Sequence, residues 1–139
     1  MPTVIPESHK DLIEEPVFVT LSTVMPDGQP QSSVVWCSYD GNHILVNTVS
    51  GRLKEKNMRA RPMATILAID PQNPYRYLEV RGKVEEITEE GGIDHINQLA
   101  QLYANKPKYY GGVAPAEREG KETRVVCKIK PTRVVTFGG

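Results

Sequence analysis

Residues 75–88 constrain the fold most. Leu78, Val80, Gly82 and Val84 fall on one side of an extended chain, and Tyr77, Glu79, Arg81, Lys83 and Glu85 fall on the other. That period of two requires a β-strand with one face in a core and the other in water. A lone strand leaves its backbone donors and acceptors unpaired, so partners must follow. The sequence offers them in hairpin order. Residues 17–25 and 31–39 are joined by Pro26-Asp27-Gly28, and Asp40-Gly41-Asn42 turns the chain into residues 43–48. Residues 63–70, Met-Ala-Thr-Ile-Leu-Ala-Ile-Asp, are nearly continuously apolar, as in a strand buried on both faces or central to a barrel. Gly82 in mid-strand marks a bend or a close backbone approach. Strands at 123–130 and 133–137 close the chain, with Pro131 expected to break them apart.

Helices fit between these strands. A short amphipathic helix is expected over 7–14, closed by Pro16, and a basic one over 51–60, stopped by Pro62. A third spans 89–104, with Ile93, Ile96, Leu99, Ala100 and Tyr103 at helical spacing toward the core. Residues 106–120, which include Tyr109-Tyr110-Gly111-Gly112, form an irregular loop long enough to suggest a functional or interface role. About seven strands with two or three helices favour a mainly β (α+β) antiparallel barrel with appended helices, in a single domain over residues 1–139.

Composition removes several classes of function. Seventeen Lys and Arg balance seventeen Asp and Glu, which argues against a general nucleic-acid binder. No apolar run approaches the roughly 20 residues that a membrane span needs, and the first residues carry no secretory pattern. The expected compartment is therefore the cytosol. Cys37 and Cys127 sit in strand-like runs and read as small buried hydrophobes. His9, His43 and His95 lie far apart in different elements, which argues against a metal site; each reads as a surface or turn residue. No phosphate-binding loop, dinucleotide fingerprint or nucleophile elbow is present, so no catalytic side chain is assigned.

The positive signal is a basic corner. After residues 43–48 come Ser50 and Gly51, and then Arg52, Lys54, Lys56, Arg59 and Arg61 against the single acid Glu55. Ser50 can cap the helix, so that free N–H groups and the positive end of the helix dipole point the same way as Arg52. Such a corner suits a phosphate. Asn47, Thr48 and Ser50 add amide and hydroxyl groups, and Gly51 permits close approach. A solvated basic helix face remains the plain alternative. Gln31, Ser32 and Ser33 could hydrogen-bond the edge of a planar heterocycle, or simply open a polar strand. Tyr75-Arg76-Tyr77 offers a platform for a flat ring or a second anion, or else an exposed strand start. Tyr109-Tyr110 reads as a loop anchor.

Taken together, these segments resemble the flavin and deazaflavin oxidoreductases of the split β-barrel class, the superfamily of pyridoxamine 5′-phosphate oxidase. The resemblance runs through Val19-Thr-Leu-Ser-Thr-Val-Met-Pro-Asp-Gly-Gln-Pro-Gln31, Val34-Val-Trp36, Ser50-Gly-Arg-Leu-Lys-Glu-Lys-Asn57 and Ile129-Lys-Pro-Thr-Arg133. The block Asp70-Pro-Gln-Asn-Pro-Tyr-Arg-Tyr-Leu-Glu-Val-Arg-Gly82 is similar to the branch that uses the 5-deazaflavin coenzyme F420.

The resemblance implies a homodimer with two cofactor sites at its interface and a small-molecule substrate. Arg52 and Lys54 would hold the cofactor phosphate. Asn47, Thr48 and Ser50 would line the phosphate and ribityl chain, and Gln31, Ser33 and Trp36 the ring side. Tyr75 and Tyr77 would come across the interface. Lys56, Arg59 or Lys106 could meet the acidic tail of F420. The implied activity is hydride transfer between F420 and a small organic acceptor, with the cofactor carrying the chemistry. FMN in an oxidase-like enzyme, or a non-catalytic carrier of flavin, deazaflavin or tetrapyrrole, are the alternatives. The chain reaches Gly139 soon after Arg133, without the arginine-containing segment that grips the vitamin phosphate, so vitamin B6 oxidation is not expected.

Overall fold

The structure, a computed structural model, describes residues 3–139. Seven strands form one antiparallel sheet: β1 (Val19–Val24), β2 (Pro30–Val35), β3 (Cys37–Tyr39), β4 (Ile44–Val49), β5 (Met63–Asp70), β6 (Asn73–Thr88) and β7 (Arg124–Phe137). Their order is β2-β1-β5-β6-β7-β4-β3. β2 and β3 are therefore opposite edges of the sheet, yet Trp36 alone separates them in sequence. The sheet must curl until its edges lie one residue apart. The result is a split β-barrel, mainly β. This also corrects the expected single strand over 31–39: the chain turns a corner at Trp36 to pass from one edge to the other.

Strand alternation fills the interior. Leu21, Ile66, Leu78, Val80, Val46, Cys127 and Ile129 point inward and are essentially inaccessible, as the period of two in β6 requires. Leu12 and Ile13 of α1 (Asp11–Glu14) and Met58 of α2 (Leu53–Ala60) join the same core. The expected helix over 7–14 is a 3₁₀ turn, Glu7–His9, followed by that single turn of α-helix. Both cysteines are buried and free, and burial pushes each thiol up to about 12.

Pro131 does not end a strand. β7 runs through it as one element of 14 residues, with Pro131 opposite Gly82 and Arg133 opposite Arg81. Thr132 is the extra residue of a bulge there, and its hydroxyl donates to the Arg81 carbonyl at 3.1 Å. A bulge tolerates the missing N–H of proline. Gly82 permits the crossing: a Cβ there would lie 2.5 Å from Ile129 Cγ2 and 2.7 Å from the Lys130 carbonyl oxygen.

α3 (Gly92–Ala104) packs across the split. It begins at Gly92 rather than near residue 89, because Gly91 takes a left-handed conformation, with φ 77°, immediately before it. His95, Ile96, Leu99 and Ala100 are its buried residues, while Ile93, expected in the core, is 36% exposed. The core-facing stripe therefore passes through His95 instead of Ile93. Among the described residues, no helix is long and apolar enough to cross a membrane.

Candidate functional site

The basic corner folds differently from a Ser-capped helix. Arg52 occupies the cap position of α2 and makes no side-chain cap bond; Ser50 is exposed. Glu55 takes that role instead, accepting from the Gly51 N–H at 2.8 Å. Burial works against its charge, but the Gly51 bond and Arg59, one turn away and hydrogen-bonded to it, hold its carboxyl below the usual range. Arg61 is also committed, donating to the Val24 carbonyl at 2.6 Å and to Asn57 Oδ1 at 3.0 Å. The chain has thus spent two of its five cations, and a backbone N–H, on its own structure. Of the other three, Lys56 is exposed away from the cleft, and Arg52 and Lys54 are left for a ligand.

Those two side chains reach a cleft of about 270 Å³ between the sheet and α3. Asn47 and Thr48 of β4 form its polar wall, while Phe18, Val34, Val35 and Trp36 form the apolar one. Ile96 and Leu99 of α3, with Tyr109, Val113 and Arg124, complete it. Burial, with the charge of Arg52 nearby, lowers the pKa of Lys54, so an arriving anion relieves a strained ammonium. Thr48 is 1% exposed, and its hydroxyl has no partner among the described residues. Thr48 alternates with Asn47 along β4, so this enclosed hydroxyl faces the barrel interior on the side of Val46, and the residue borders the cleft without opening its hydroxyl to it.

Neighbouring side chains are firmly placed. Trp36 stacks on Tyr103 of α3, with ring centroids 5.1 Å apart and planes 11° apart. The Tyr103 hydroxyl donates to the Val17 carbonyl at 2.7 Å and accepts from the Cys37 N–H at 3.1 Å, tying the two sides of the split. Asn47 donates to the Gly92 carbonyl at 2.8 Å and to His95 Nδ1 at 3.3 Å. With Nδ1 accepting, His95 carries its proton on Nε2, which lies 2.9 Å from the Ser38 hydroxyl. Burial lowers its pKa to about 4. His95 and His9, at 6% and 2% exposure, are therefore interior residues rather than surface ones; each ring meets polar partners that make burial tolerable.

Of the residues singled out in the sequence, Trp36, Asn47, Thr48, Arg52 and Lys54 meet in this cleft. Gln31, Ser33, Ser50, Tyr75 and Tyr77 of the same chain do not line it. Gln31 Oε1 accepts from the buried Thr23 hydroxyl at 2.7 Å, which ties it toward α2. Ser33 pairs with Leu21, and its buried hydroxyl, like that of Thr48, lacks a partner among the described residues. Tyr75 is 76% exposed, and Tyr77 stacks on Phe137 at 5.6 Å. Arg76 cannot serve a second anion. Its guanidinium is held by Asp11 at 2.6 Å and Asp70 at 3.0 Å.

Sequence reasoning missed Arg124, Tyr109 and Phe18. Arg124 opens a strand whose alternation looked ordinary, and Tyr109 lay in an irregular loop. The available signal was a cation at the head of an apolar run, Arg-Val-Val-Cys.

Residues 5–138 match the family described as Pyridoxamine 5′-phosphate oxidase. The chain belongs to this family. Among solved structures, one named F420 Reductase is 33% identical, with a TM-score of 0.79 over 94% of this chain and 98% of that one. A conserved hypothetical protein from Mycobacterium tuberculosis is 25% identical, with a TM-score of 0.71 over 96% and 85% of the two chains. General Stress Protein 26 from Bacillus anthracis, 20% identical with a TM-score of 0.67 over 94% and 92%, shares the fold. No curated protein sequence matches the chain. Membership makes this member of the pyridoxamine 5′-phosphate oxidase family a flavin- or deazaflavin-oxidoreductase-like protein.

Proposed function

We propose that the protein is an F420-dependent oxidoreductase that passes hydride between the deazaflavin and a small organic acceptor. The observation that carries this reading is the 33% identity to an F420 reductase along 94% of the chain. The cleft supports it: two cations without a close acid partner among the described residues, and an apolar wall, fit a phosphate joined to a flat ring. When bound, the deazaflavin supplies or accepts the hydride.

Arg52 and Lys54 would hold the phosphate by charge-assisted bonds. Trp36, Val34 and Val35 would keep water from the ring and present a flat surface to it. Trp36 is suited to this because Tyr103 already fixes its plane. No acid, base or nucleophile on the chain is needed for hydride transfer.

A second copy of the chain would complete the site, bringing Tyr75 and Tyr77 toward the cleft. Exposed Phe18, Val34, Met63, Tyr75 and Phe137, each more than half exposed in the single chain, support such an interface. Light scattering should give a dimer mass; a monomer at micromolar concentration would refute it.

Titration with F420 and with FMN, followed by cofactor fluorescence, tests the cofactor. Tighter binding of F420 is expected. A clear preference for FMN would replace the deazaflavin by a flavin and leave the phosphate assignment standing. Turnover of an acceptor by the loaded protein separates an enzyme from a carrier.

A further inference from the structure

The cleft holds one cation more than a phosphate clamp accounts for. Arg124 is 5% exposed and lines the cleft wall. Its Nε donates to the Tyr110 hydroxyl at 2.9 Å, one terminal nitrogen donates to Asn47 Oδ1 at 3.4 Å, and the guanidinium lies 4.5 Å from the Tyr109 ring centroid. All three partners are uncharged. Two of its five N–H groups are used, and the rest have no hydrogen-bond acceptor among the described residues. One carboxylate, Glu122, comes within 4 Å, at 3.8 Å. That is beyond hydrogen-bonding reach, and its other oxygen lies 3.9 Å from Arg52. A buried guanidinium so loosely neutralised is unfavourable until an anion meets it.

Arg124 shares the cleft with Arg52 and Lys54 but is held differently. Asn47 and Thr48 are consecutive in β4, so they point to opposite faces of the sheet. Arg124 pairs with Val49 and shares the face of Asn47, whereas Thr48 with its unbonded hydroxyl is on the other. The orientation of Arg124 is also set in advance. Asn47 gives both its amide contacts to α3, at Gly92 and His95, and so turns its oxygen to the guanidinium. The surroundings of Arg124 are apolar and flat, with Tyr109 beneath it and Trp36 edge-on to Tyr109 at 6.1 Å.

We propose that Arg124 is a substrate-binding residue, the receptor for the carboxylate of a small acceptor whose apolar part lies against the cleft wall that Trp36 and Tyr109 form together. This rests on the hydride-transfer reading for the word acceptor, but the anion receptor itself does not. A planar carboxylate fits because the guanidinium presents parallel N–H groups.

Trp36 is the chain's single tryptophan, so its fluorescence reports occupancy of the cleft. The probes are 3-phenylpropionate and its neutral amide, titrated into the cofactor-free protein. The acid should bind at least about tenfold more tightly than the amide, as a charge-assisted bond to a buried arginine implies. Arg124→Gln should abolish that preference and Arg124→Lys should restore part of it, while Arg52→Ala with Lys54→Ala should preserve it. Equal affinity for acid and amide in the unaltered protein overturns the proposal without recourse to any variant. So does a preference that survives Arg124→Gln in a folded protein but vanishes in the Arg52, Lys54 double variant. If the acid preference holds while neither F420 nor FMN binds, the receptor stands and the cofactor reading falls.

Discussion

Tyr103 lies flat against Trp36, 5.1 Å between ring centroids, and its hydroxyl meanwhile bridges the Val17 carbonyl and the Cys37 N–H. One side chain of α3 thus braces a cleft wall and fastens the seam of the barrel. Tyr103→Phe keeps the stacking and removes both bonds. A cost of about 1–3 kcal/mol is expected, since backbone groups lose their partner. Urea unfolding followed by Trp36 fluorescence measures it. Stability equal to that of the parent would show that the seam does not depend on the hydroxyl.

His95 makes stability depend on pH in a defined direction. Its pKa is about 4 when folded, against an ordinary 6.5, so the unfolded chain takes up a proton that the folded one refuses. Stability from this group is complete above pH 6.5 and is lost as pH falls toward 4, by roughly 3 kcal/mol in all. Unfolding free energies measured across that window should slope downward with acid, and His95→Gln should flatten the slope by about one proton. An unchanged slope in the variant would rule out His95 as its source.

Arg52→Ala and Lys54→Ala should each weaken cofactor binding by roughly tenfold, and more together, because each removes a charged phosphate contact. Stability should shift by less than about 0.5 kcal/mol: Arg52 is half exposed, and its one ion pair among the described residues, with Glu122, is loose at 3.9 Å. Cofactor affinity unaffected by the double change would remove the phosphate from this corner. Rising salt should weaken binding in the parent more than in the double variant.

Gly82→Ala should destabilise the fold by about 1–3 kcal/mol or more, through overpacking. The new methyl would meet both Ile129 and the backbone of Lys130, and backbone cannot swing aside. A thermal melt suffices to check it, and a melting temperature within a degree of the parent would contradict the crowding.

Local pattern carried much of this fold. The alternation in β6, the turn at Pro26-Asp27-Gly28 and the apolar run of β5 each named a strand, because side-chain period and turn chemistry are local properties. Trp36 as a corner was not legible, since Val34 to Tyr39 is uniformly strand-like and only the closing of the sheet breaks it. Pro131 misled for a related reason: its tolerance depends on Gly82, some fifty residues away. At the site, Asn47, Thr48, Arg52 and Lys54 are close in sequence and were found together. Arg124 reaches them only through pairing of β4 with β7, a contact that no local window contains.

Glu55 gives the basic corner a division of labour. The chain's own carboxylate takes the Gly51 N–H at the opening of α2, so a visiting anion does not gain that donor and is recognised chiefly by side chains. Helix integrity and ligand affinity are consequently separable properties at this corner. Selection could exchange Arg52 or Lys54 to suit another phosphate-bearing ligand and leave the helix intact. The fold can hold the geometry constant while its guest changes.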